Sequence, residues 1–294
     1  MRCRTVLTRI DAVRTGELPE KQEMKDHLGY CSSCNESVHD VSSLAGRLKS
    51  LVTQPPRALH ERVTSALNDR YDIVEAGGLT AWVAFSDKGV RMLHLGPYSE
   101  KKFRAAYRQR FARDVVRGKL PESTRKQIAN GLVGQGVAKT PVDLSDLTDF
   151  EREVLAVLAK IPRGEVRTYA WLAREVGRPK AVRAIGNIMA NNPVPVILPC
   201  HRVIPSTGGL GNYSMGGPAN KRDLLKREGV KCDELEDLTR KGVRYVGCKS
   251  THIYCFPTCR DIRRARDENR VPFRGGQDAE EHGYRPCKHC RPAA

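Results

Sequence analysis

Apolar residues recur with the short period of β-strands between residues 71 and 95. Two apolar runs there are separated by the turn Asp87-Lys88-Gly89. Such runs on either side of a glycine-containing turn are typical of a β-hairpin. The pattern becomes helical over 100–116, and a weaker helix and strand follow as far as Leu144. We therefore expect a small sheet-and-helix subdomain over 71–147.

Helical periodicity dominates the segment 148–232. The pattern predicts helices at 150–160, 168–177 and 178–192. Thr168 is a good N-cap for the second of these, and Pro179 suits the start of the third, which Pro193 ends. Two helices joined by a short turn at Gly177 indicate a helix-turn-helix.

The last of these helices has two distinct faces. Its apolar face carries Val182, Ile185 and Met189. Its other face carries Lys180, Arg183, Ala184, Asn187 and Asn191, at steps of three and four residues. A polar helix face is ordinarily just solvated. The small residues beside Arg183 would equally allow the backbone to approach a nucleic-acid groove.

An apolar run bounded by prolines, residues 194–204, contains one cysteine, Cys200, which His201 follows directly. Such a run predicts a buried strand, with the thiol held rigidly at its end. Neighbouring side chains of a strand point to opposite faces, so His201 should not contact the thiol directly. A buried cysteine is often only packing, and that alternative stays open on these residues alone.

Length and charge narrow the class of protein. The 294 residues allow two or three domains, and 51 Lys and Arg against 34 Asp and Glu give a net charge of +17. A basic excess of this size favours a polyanionic partner. No apolar run is long enough for a membrane span and the start lacks a signal-peptide pattern, so we expect a soluble cytoplasmic protein without a membrane partner.

The spacing of the ten cysteines indicates metal sites, because a reducing compartment disfavours disulfides. One predicted zinc site consists of Cys255, Cys259, Cys287 and Cys290. A second consists of Cys3, His27, Cys31 and Cys34, with His27 on a helix that begins after Pro19. For this second set, a helical hairpin with incidental thiols remains the alternative. The charged stretch 231–246 is predicted to be a linker.

The segment 150–230 resembles the DNA-binding half of the O6-alkylguanine-DNA alkyltransferase family. The resemblance rests on motifs in the family's order: Ile161-Pro-Arg-Gly164, Thr168-Tyr169, Arg183-Ala-Ile-Gly186, Asn192-Pro193, Pro199-Cys-His-Arg-Val203, Gly211-Asn-Tyr-Ser214, Lys221 and Glu228-Gly229. It implies a single-turnover enzyme that binds double-stranded DNA, flips an alkylated guanine out of the helix and transfers the alkyl group to Cys200.

The same resemblance assigns the remaining site residues. His201, held by Glu228, would activate the thiol through a water molecule, and Asn192 would brace the site. Arg183 would fill the gap left by the flipped base, on a helix whose Lys180 and Asn187 also face the DNA. Tyr169 would lie beside the target nucleotide. Tyr213 and Ser214 would donate to the guanine oxygen, and the Val203 carbonyl would bind the exocyclic amine.

The flanking modules carry resemblances of their own. The first fifty residues are similar to the zinc finger of anti-sigma factors, which would imply a sigma-like partner. The last fifty are similar to the metal-binding domain of Ada, in which the cysteine matching Cys255 accepts a methyl group from DNA phosphotriesters. Phe256 and His252 depart from that pattern, where Ada has arginine and glycine. For Cys255, methyl acceptance and a structural role with DNA binding therefore both remain open.

The sequence thus predicts an α+β multidomain protein. We expect an anti-sigma-like finger at 1–50, a linker helix at 51–70, the sheet-and-helix subdomain at 71–147, the helix-turn-helix catalytic domain at 148–232 and the Ada-type zinc domain at 233–294. Zinc is the expected cofactor, with no organic cofactor. The alternative function is a regulator that senses alkylation and binds a sigma-like protein through the finger.

Overall fold

The computed structural model describes residues 1–51, 68–137 and 140–292. The chain divides into two compact units, 1–63 and 64–294. The predicted linker helix falls almost wholly on residues 52–67, outside the described residues. Within the described residues, no helix combines the length and the apolar character that crossing a membrane requires.

The first unit is helical. Its helices are α1 (Cys3–Arg14), α2 (Gln22–Tyr30) and α3 (Ser32–Leu51). A small core of Val6, Ile10, Met24 and Cys34 joins them. The helical conformation is interrupted between α2 and α3 at Cys31, whose extended backbone separates the two helices.

The second unit begins with a mixed β-sheet in the order β3-β2-β1-β4. Its elements are β1 (Asp69–Ala76), β2 (Leu79–Ser86), β3 (Gly89–Leu95), α4 (Glu100–Phe111), β4 (Val115–Arg117) and α5 (Glu122–Leu132). The predicted hairpin is confirmed by the antiparallel pairing of β2 with β3. The helix predicted to reach residue 116 is wrong at its end, because Ala112 adopts a left-handed conformation and the chain turns into β4.

The helical domain follows. Its elements are α6 (Asp149–Leu158), β5 (Arg167–Thr168), α7 (Tyr169–Glu175), α8 (Val182–Ala190), a one-turn 3₁₀ helix (Cys200–Arg202), β6 (Val203–Ile204) and α9 (Gly217–Arg227). Thr148 and Glu151 form a reciprocal cap on α6. Thr168 caps α7 as predicted, by accepting a hydrogen bond from Trp171 N. The third helix begins at Val182, four residues later than predicted.

The strand predicted at 194–204 is wrong over most of its length. The first part of this segment has no regular secondary structure, Cys200 lies in the one-turn 3₁₀ helix, and only β6 is a regular strand. Two prolines in the run, Pro195 and Pro199, lack the backbone donors that a strand ladder needs, and Val196 has a positive φ of 72°. A buried apolar run was therefore identified correctly, but its backbone conformation was not.

The C-terminal module packs onto the helical domain within the second unit. Its elements are α10 (Cys232–Arg240), β7 (Tyr245–Cys248), β8 (Ile253–Cys255), α11 (Arg260–Arg263), a 3₁₀ turn (Asp267–Asn269), β9 (Arg270–Phe273), α12 (Gly276–Glu281) and β10 (Arg285–Pro286). The linker predicted at 231–246 is wrong. It contains α10, whose Cys232 and Leu235 pack against Val166, Ile204 and Leu225.

Candidate active site

The Cys200 thiol is buried at the start of the 3₁₀ helix, with 4% of the residue exposed. Burial raises its pKa, although the nearby side chains of Asn192 and Tyr213 and the charge of Lys221 act in the opposite direction. The thiol is therefore mostly protonated at neutral pH. A nucleophilic role requires a base within reach.

His201 is the candidate for that base. Its Nε2 lies 2.9 Å from Glu228 Oε1, and both side chains are buried. A carboxylate can only accept, so Nε2 carries the imidazole proton and Nδ1 is the free acceptor. Nδ1 is buried and has no hydrogen-bond partner among the described residues. Burial lowers the pKa of His201, which keeps the ring neutral and able to take a proton.

Glu228 is held as an anion. Arg202 donates from Nε to Oε2 at 2.9 Å and from Nη2 to Oε1 at 2.7 Å. Burial alone would raise the pKa of Glu228, but its bonds to His201 and Arg202 outweigh burial and lower the pKa to about 2. Arg202 also donates to the Ile161 carbonyl at 2.6 Å. No role was predicted for Arg202 from the sequence, and its two bonds fix the carboxylate that also bonds to His201.

Two further buried groups shape the loop around the thiol. Asn192 donates to the Leu198 carbonyl at 2.8 Å and accepts from Val194 N at 3.1 Å, which agrees with its expected bracing role. Lys221 donates to the Val203 carbonyl at 2.6 Å. Burial lowers the pKa of Lys221 to about 8, and the Cys200 charge opposes that shift. Lys221 stood in a sequence motif but was not predicted to act beside the thiol.

The predicted donors to the guanine oxygen follow the loop that contains Gly209 and Gly211. Tyr213 is buried, and its hydroxyl has no hydrogen-bond partner among the described residues. Burial raises the pKa of Tyr213, and negative charge on Cys200 adds to the shift. Ser214 is exposed. Tyr169 at the start of α7 is partly exposed, and burial followed by the Cys200 charge raises its pKa.

Helix α8 presents a polar face to solvent. Arg183, Asn187 and the preceding Lys180 are exposed, as expected for a DNA-facing surface. Ile185, Ile188 and Met189 are buried underneath. Val182 was predicted to share the buried face but is 38% exposed. Because α8 begins at Val182, this residue lies at the helix end and beyond the edge of the core.

The four C-terminal cysteines form a compact cluster. Their sulfur atoms all lie within 4.8 Å of one another, and all four residues are buried. This set fits the tetrahedral four-thiolate coordination of zinc. His252, which replaces the glycine expected from Ada, has a positive φ of 50°. That conformation suits glycine better, so the departure carries a local backbone cost.

The N-terminal cluster also assembles. The ligand atoms of Cys3, His27, Cys31 and Cys34 lie within 4.8 Å of one another. His27 Nε2 lies 3.4 Å from Cys34 Sγ, and its Nδ1 lies 3.0 Å from the Tyr30 hydroxyl. In metal-bound histidines, the ring nitrogen that does not bind the metal typically has a hydrogen-bond partner, as Nδ1 of His27 has in Tyr30. This donor set could hold a metal ion.

Comparisons with known proteins agree with this geometry. Residues 149–230 match the family model for the 6-O-methylguanine DNA methyltransferase DNA binding domain, and residues 235–293 match the metal binding domain of Ada. The methylated-DNA–protein-cysteine methyltransferase of Shigella flexneri is 33% identical over 176 residues, which cover 59% of this chain and 96% of that protein. The chain belongs to the methylated-DNA–protein-cysteine methyltransferase family. The predicted family membership is confirmed.

Other relatives in the methyltransferase family match over a shorter span. The protein of Cricetulus griseus is 49% identical over 98 residues, which cover 32% of this chain and 47% of that protein. The protein of Homo sapiens is 53% identical over 81 residues, covering 27% and 39% respectively. The chain therefore spans about half or less of these relatives' length. A solved O6-methylguanine methyltransferase from Mycobacterium tuberculosis aligns with a TM-score of 0.44 and 29% identity, covering 55% of this chain and 92% of that one.

Proposed function

We propose that this protein repairs O6-alkylguanine in duplex DNA by moving the alkyl group irreversibly to Cys200. One observation carries the proposal. A buried thiol is followed by a histidine whose free Nδ1 and Glu228-bound Nε2 equip it as a base. An oriented base of this kind is what activates a weakly acidic nucleophile. Membership of the methyltransferase family supports the same chemistry.

DNA is the proposed substrate because a stacked guanine cannot reach a buried thiol. The nucleotide has to rotate out of the duplex, which costs a few kcal/mol and less for a poorly paired alkylated base. Arg183 on the exposed face of α8 occupies the space that the base leaves. Tyr169 contacts the rotated nucleotide, and Lys180 and Asn187 lie along the same DNA-facing surface.

The transfer step conserves atoms and charge as follows. The thiol proton passes through a water molecule to His201 Nδ1, and Glu228 stabilises the resulting imidazolium. The sulfur forms a bond to the alkyl carbon while the bond from that carbon to the guanine O6 breaks. Tyr213 and Ser214 stabilise the electron pair left on O6, and the proton then passes to the guanine. The alkyl group cannot leave the stable thioether formed on Cys200, so each chain reacts once.

For the C-terminal module we propose zinc binding and a role in DNA binding. Cys255, the alternative methyl acceptor, is 2% exposed, and the other three cysteines are similarly buried. A phosphotriester would have to contact the sulfur directly. Four thiolates bound to zinc would have a net charge of about −2, which keeps the sulfur nucleophilic. Whether a phosphotriester can reach the sulfur therefore decides between methyl acceptance and a structural role. Duplex carrying methylphosphotriesters but no alkylguanine should therefore add no methyl group, as measured by intact-protein mass spectrometry.

The N-terminal unit supports a second function, the docking of a protein partner. Most exposed large apolar side chains of the described residues lie in this unit: Leu7, Leu18, Tyr30, Leu44 and Leu48. We propose that zinc at Cys3, His27, Cys31 and Cys34 holds the three helices together and that this apolar surface binds a sigma-like protein. Binding of a purified sigma factor should be lost in His27→Ala and kept in His39→Ala, an exposed histidine outside the cluster.

Transfer of labelled methyl groups from O6-methylguanine duplex tests the main proposal. Cys200→Ser should abolish transfer. Cys248→Ser is the matched control, because a hydrogen bond from Ser250 lowers the pKa of Cys248 and this thiol is more exposed than Cys200. If Cys248→Ser loses transfer and Cys200→Ser retains it, the assignment is overturned.

A further inference from the structure

A basic cleft of about 340 Å³ lies where the C-terminal module meets the helical domain. Thr168 and Arg174 line it from the region of α7, and Ser206 lines it from the loop after β6. Arg244 and Arg274 line it from the C-terminal module. No aspartate or glutamate is among the described residues that line the cleft.

The guanidinium groups of the cleft form no ion pairs among the described residues. Arg244 Nη1 is buried without a hydrogen-bond partner there. The backbone N of Arg274 donates to Asp278 Oδ2 at 2.7 Å, which leaves the guanidinium of the exposed Arg274 available. Arg174 donates to the Pro292 carbonyl at 3.0 Å. Other arginines of the same region are paired: Arg240 with Asp237, Arg270 with Asp267, and Arg291 with Glu175. Clustered cations with an unsatisfied buried donor are stabilised by an anion.

Arg174, Arg244 and Tyr245 line the same cleft. Arg174 Nη2 and the Tyr245 hydroxyl both donate to the Pro292 carbonyl, each at 3.0 Å. Guanidinium groups suit phosphate because their planar donors match its oxygens in pairs. The hydroxyls of Thr168 and Ser206 add neutral donors. This combination fits a phosphodiester group.

Direct contacts fix the position of the C-terminal module relative to the helical domain on the two sides of the cleft. Trp171 Nε1 of α7 donates to the Cys290 carbonyl at 3.0 Å, and Val166 N donates to Thr258 Oγ1 at 2.9 Å. The guanidinium of Arg167 lies between the rings of Trp171 and Phe256, 5.5 and 5.2 Å from their centroids. The arginines of the C-terminal module are therefore fixed relative to the helix-turn-helix.

We propose that this cleft binds a backbone phosphate of the DNA strand next to the flipped nucleotide, so that the C-terminal module extends the DNA contact surface. Thr168 immediately precedes Tyr169, and Ser206 lies three residues after Val203, so a phosphate in the cleft belongs to the strand entering the site. The proposal rests on DNA being the substrate, as argued under Proposed function.

The test measures the affinity of the full chain with Cys200→Ser for an unmodified duplex, by fluorescence anisotropy over a range of KCl concentrations. Arg274→Gln, at an exposed position, should lower the slope of log K against log [salt] by about 1, the loss of one phosphate contact. Arg244→Gln should have a similar effect. Arg264→Gln is the matched control, because Arg264 is exposed on the same module but does not line the cleft.

A second arm locates the phosphate. Duplexes in which one flanking phosphate is replaced by a neutral methylphosphonate should bind more weakly at one position, and Arg274→Gln should be insensitive to that replacement. Equal slopes for Arg274→Gln and Arg264→Gln, or full sensitivity in Arg274→Gln, would overturn the proposal. Methyl transfer at saturating methylated duplex, in chains that keep Cys200, should be equal in the control Arg264→Gln and unsubstituted protein. Loss of transfer in the unsubstituted chain would count against the proposed function instead.

Discussion

Replacing Glu228 by glutamine removes the charge behind His201 and keeps the shape of the side chain. The carboxylate accepts from His201 at 2.9 Å and from Arg202 at 2.9 and 2.7 Å. A glutamine amide can instead donate to Nε2, which would move the imidazole proton to Nδ1 and remove the free acceptor. We expect the methyl transfer rate at pH 7 to fall about 10²- to 10⁴-fold, the range for a positioned acid–base group.

The loss of stability can be worked out from the same contacts. The pKa of Glu228 is lowered from 4.5 to about 2, which corresponds to about 3 kcal/mol of stabilisation of the folded state. Because the folded pKa is the lower one, this stabilisation is present above pH 4.5 and is lost as the pH falls towards 2. Glutamine cannot ionise, so the variant should unfold about 3 kcal/mol more easily at pH 7 and should lack that pH dependence. Urea unfolding at several pH values measures both effects.

Glu165→Gln is the matched control. Glu165 is 1% exposed and accepts from Arg167 at 2.6 Å, and no histidine of the described residues bonds to it. We expect Glu165→Gln to lose stability and to keep the transfer rate of the folded protein. If both variants lost transfer in proportion to their lost stability, the acid–base argument would be refuted, because a general weakening of the fold would explain both.

Three further predictions follow from the site. Lys221→Met removes a cation that favours the Cys200 thiolate, so transfer at pH 7 should slow about tenfold. Burial lowers the pKa of Lys221 to about 8, so the lysine of the unsubstituted protein should lose its charge, and with it this stabilisation of the thiolate, above that pH. A rate–pH profile should show this loss in the unsubstituted protein and not in the variant. Arg183→Ala should slow transfer from duplex by about 10- to 100-fold, because flipping costs a few kcal/mol, and should leave transfer from the free O6-methylguanine nucleoside unchanged; equal slowing on both substrates would contradict this. Removal of zinc by a chelator should lower Tm and reduce hydrogen-exchange protection of α7, whose Trp171 bonds to Cys290; unchanged protection would show that the module does not support α7.

The sequence predicted those elements whose signals are local. The hairpin at 79–95, the Thr168 cap and the two cysteine clusters were found because each depends on residues close in sequence or on a distinctive spacing. The 3₁₀ turn at Cys200 was missed because an apolar run specifies burial without specifying backbone conformation. Helix α10 was missed because its charged residues obscured an apolar face. That face becomes visible only when Cys232 and Leu235 meet their partners.

The roles of Arg202 and Lys221 could not be predicted from spacing. Arg202 meets Glu228 26 residues away, and Lys221 meets the Val203 carbonyl 18 residues away. Only the fold brings Arg202 to Glu228 and Lys221 to the loop around the thiol. A charged side chain within an otherwise apolar sequence segment is a usable signal, because it is buried only when it is paired. Arg202, directly after Cys200 and His201, satisfies that criterion.

Cys200, the proposed acceptor, is not the most acidic thiol among the described residues, and this has a consequence for selectivity. Burial raises the pKa of Cys200, whereas the hydrogen bond from Ser250 lowers the pKa of the more exposed Cys248. Free electrophiles in solution should therefore react with Cys248 before Cys200. In the proposed reaction, Cys200 would react only when a substrate enters the site, displaces water and places its alkyl carbon against the sulfur while His201 accepts the proton. Because that reaction would use each chain once, a buried acceptor would prevent inactivation before DNA is bound.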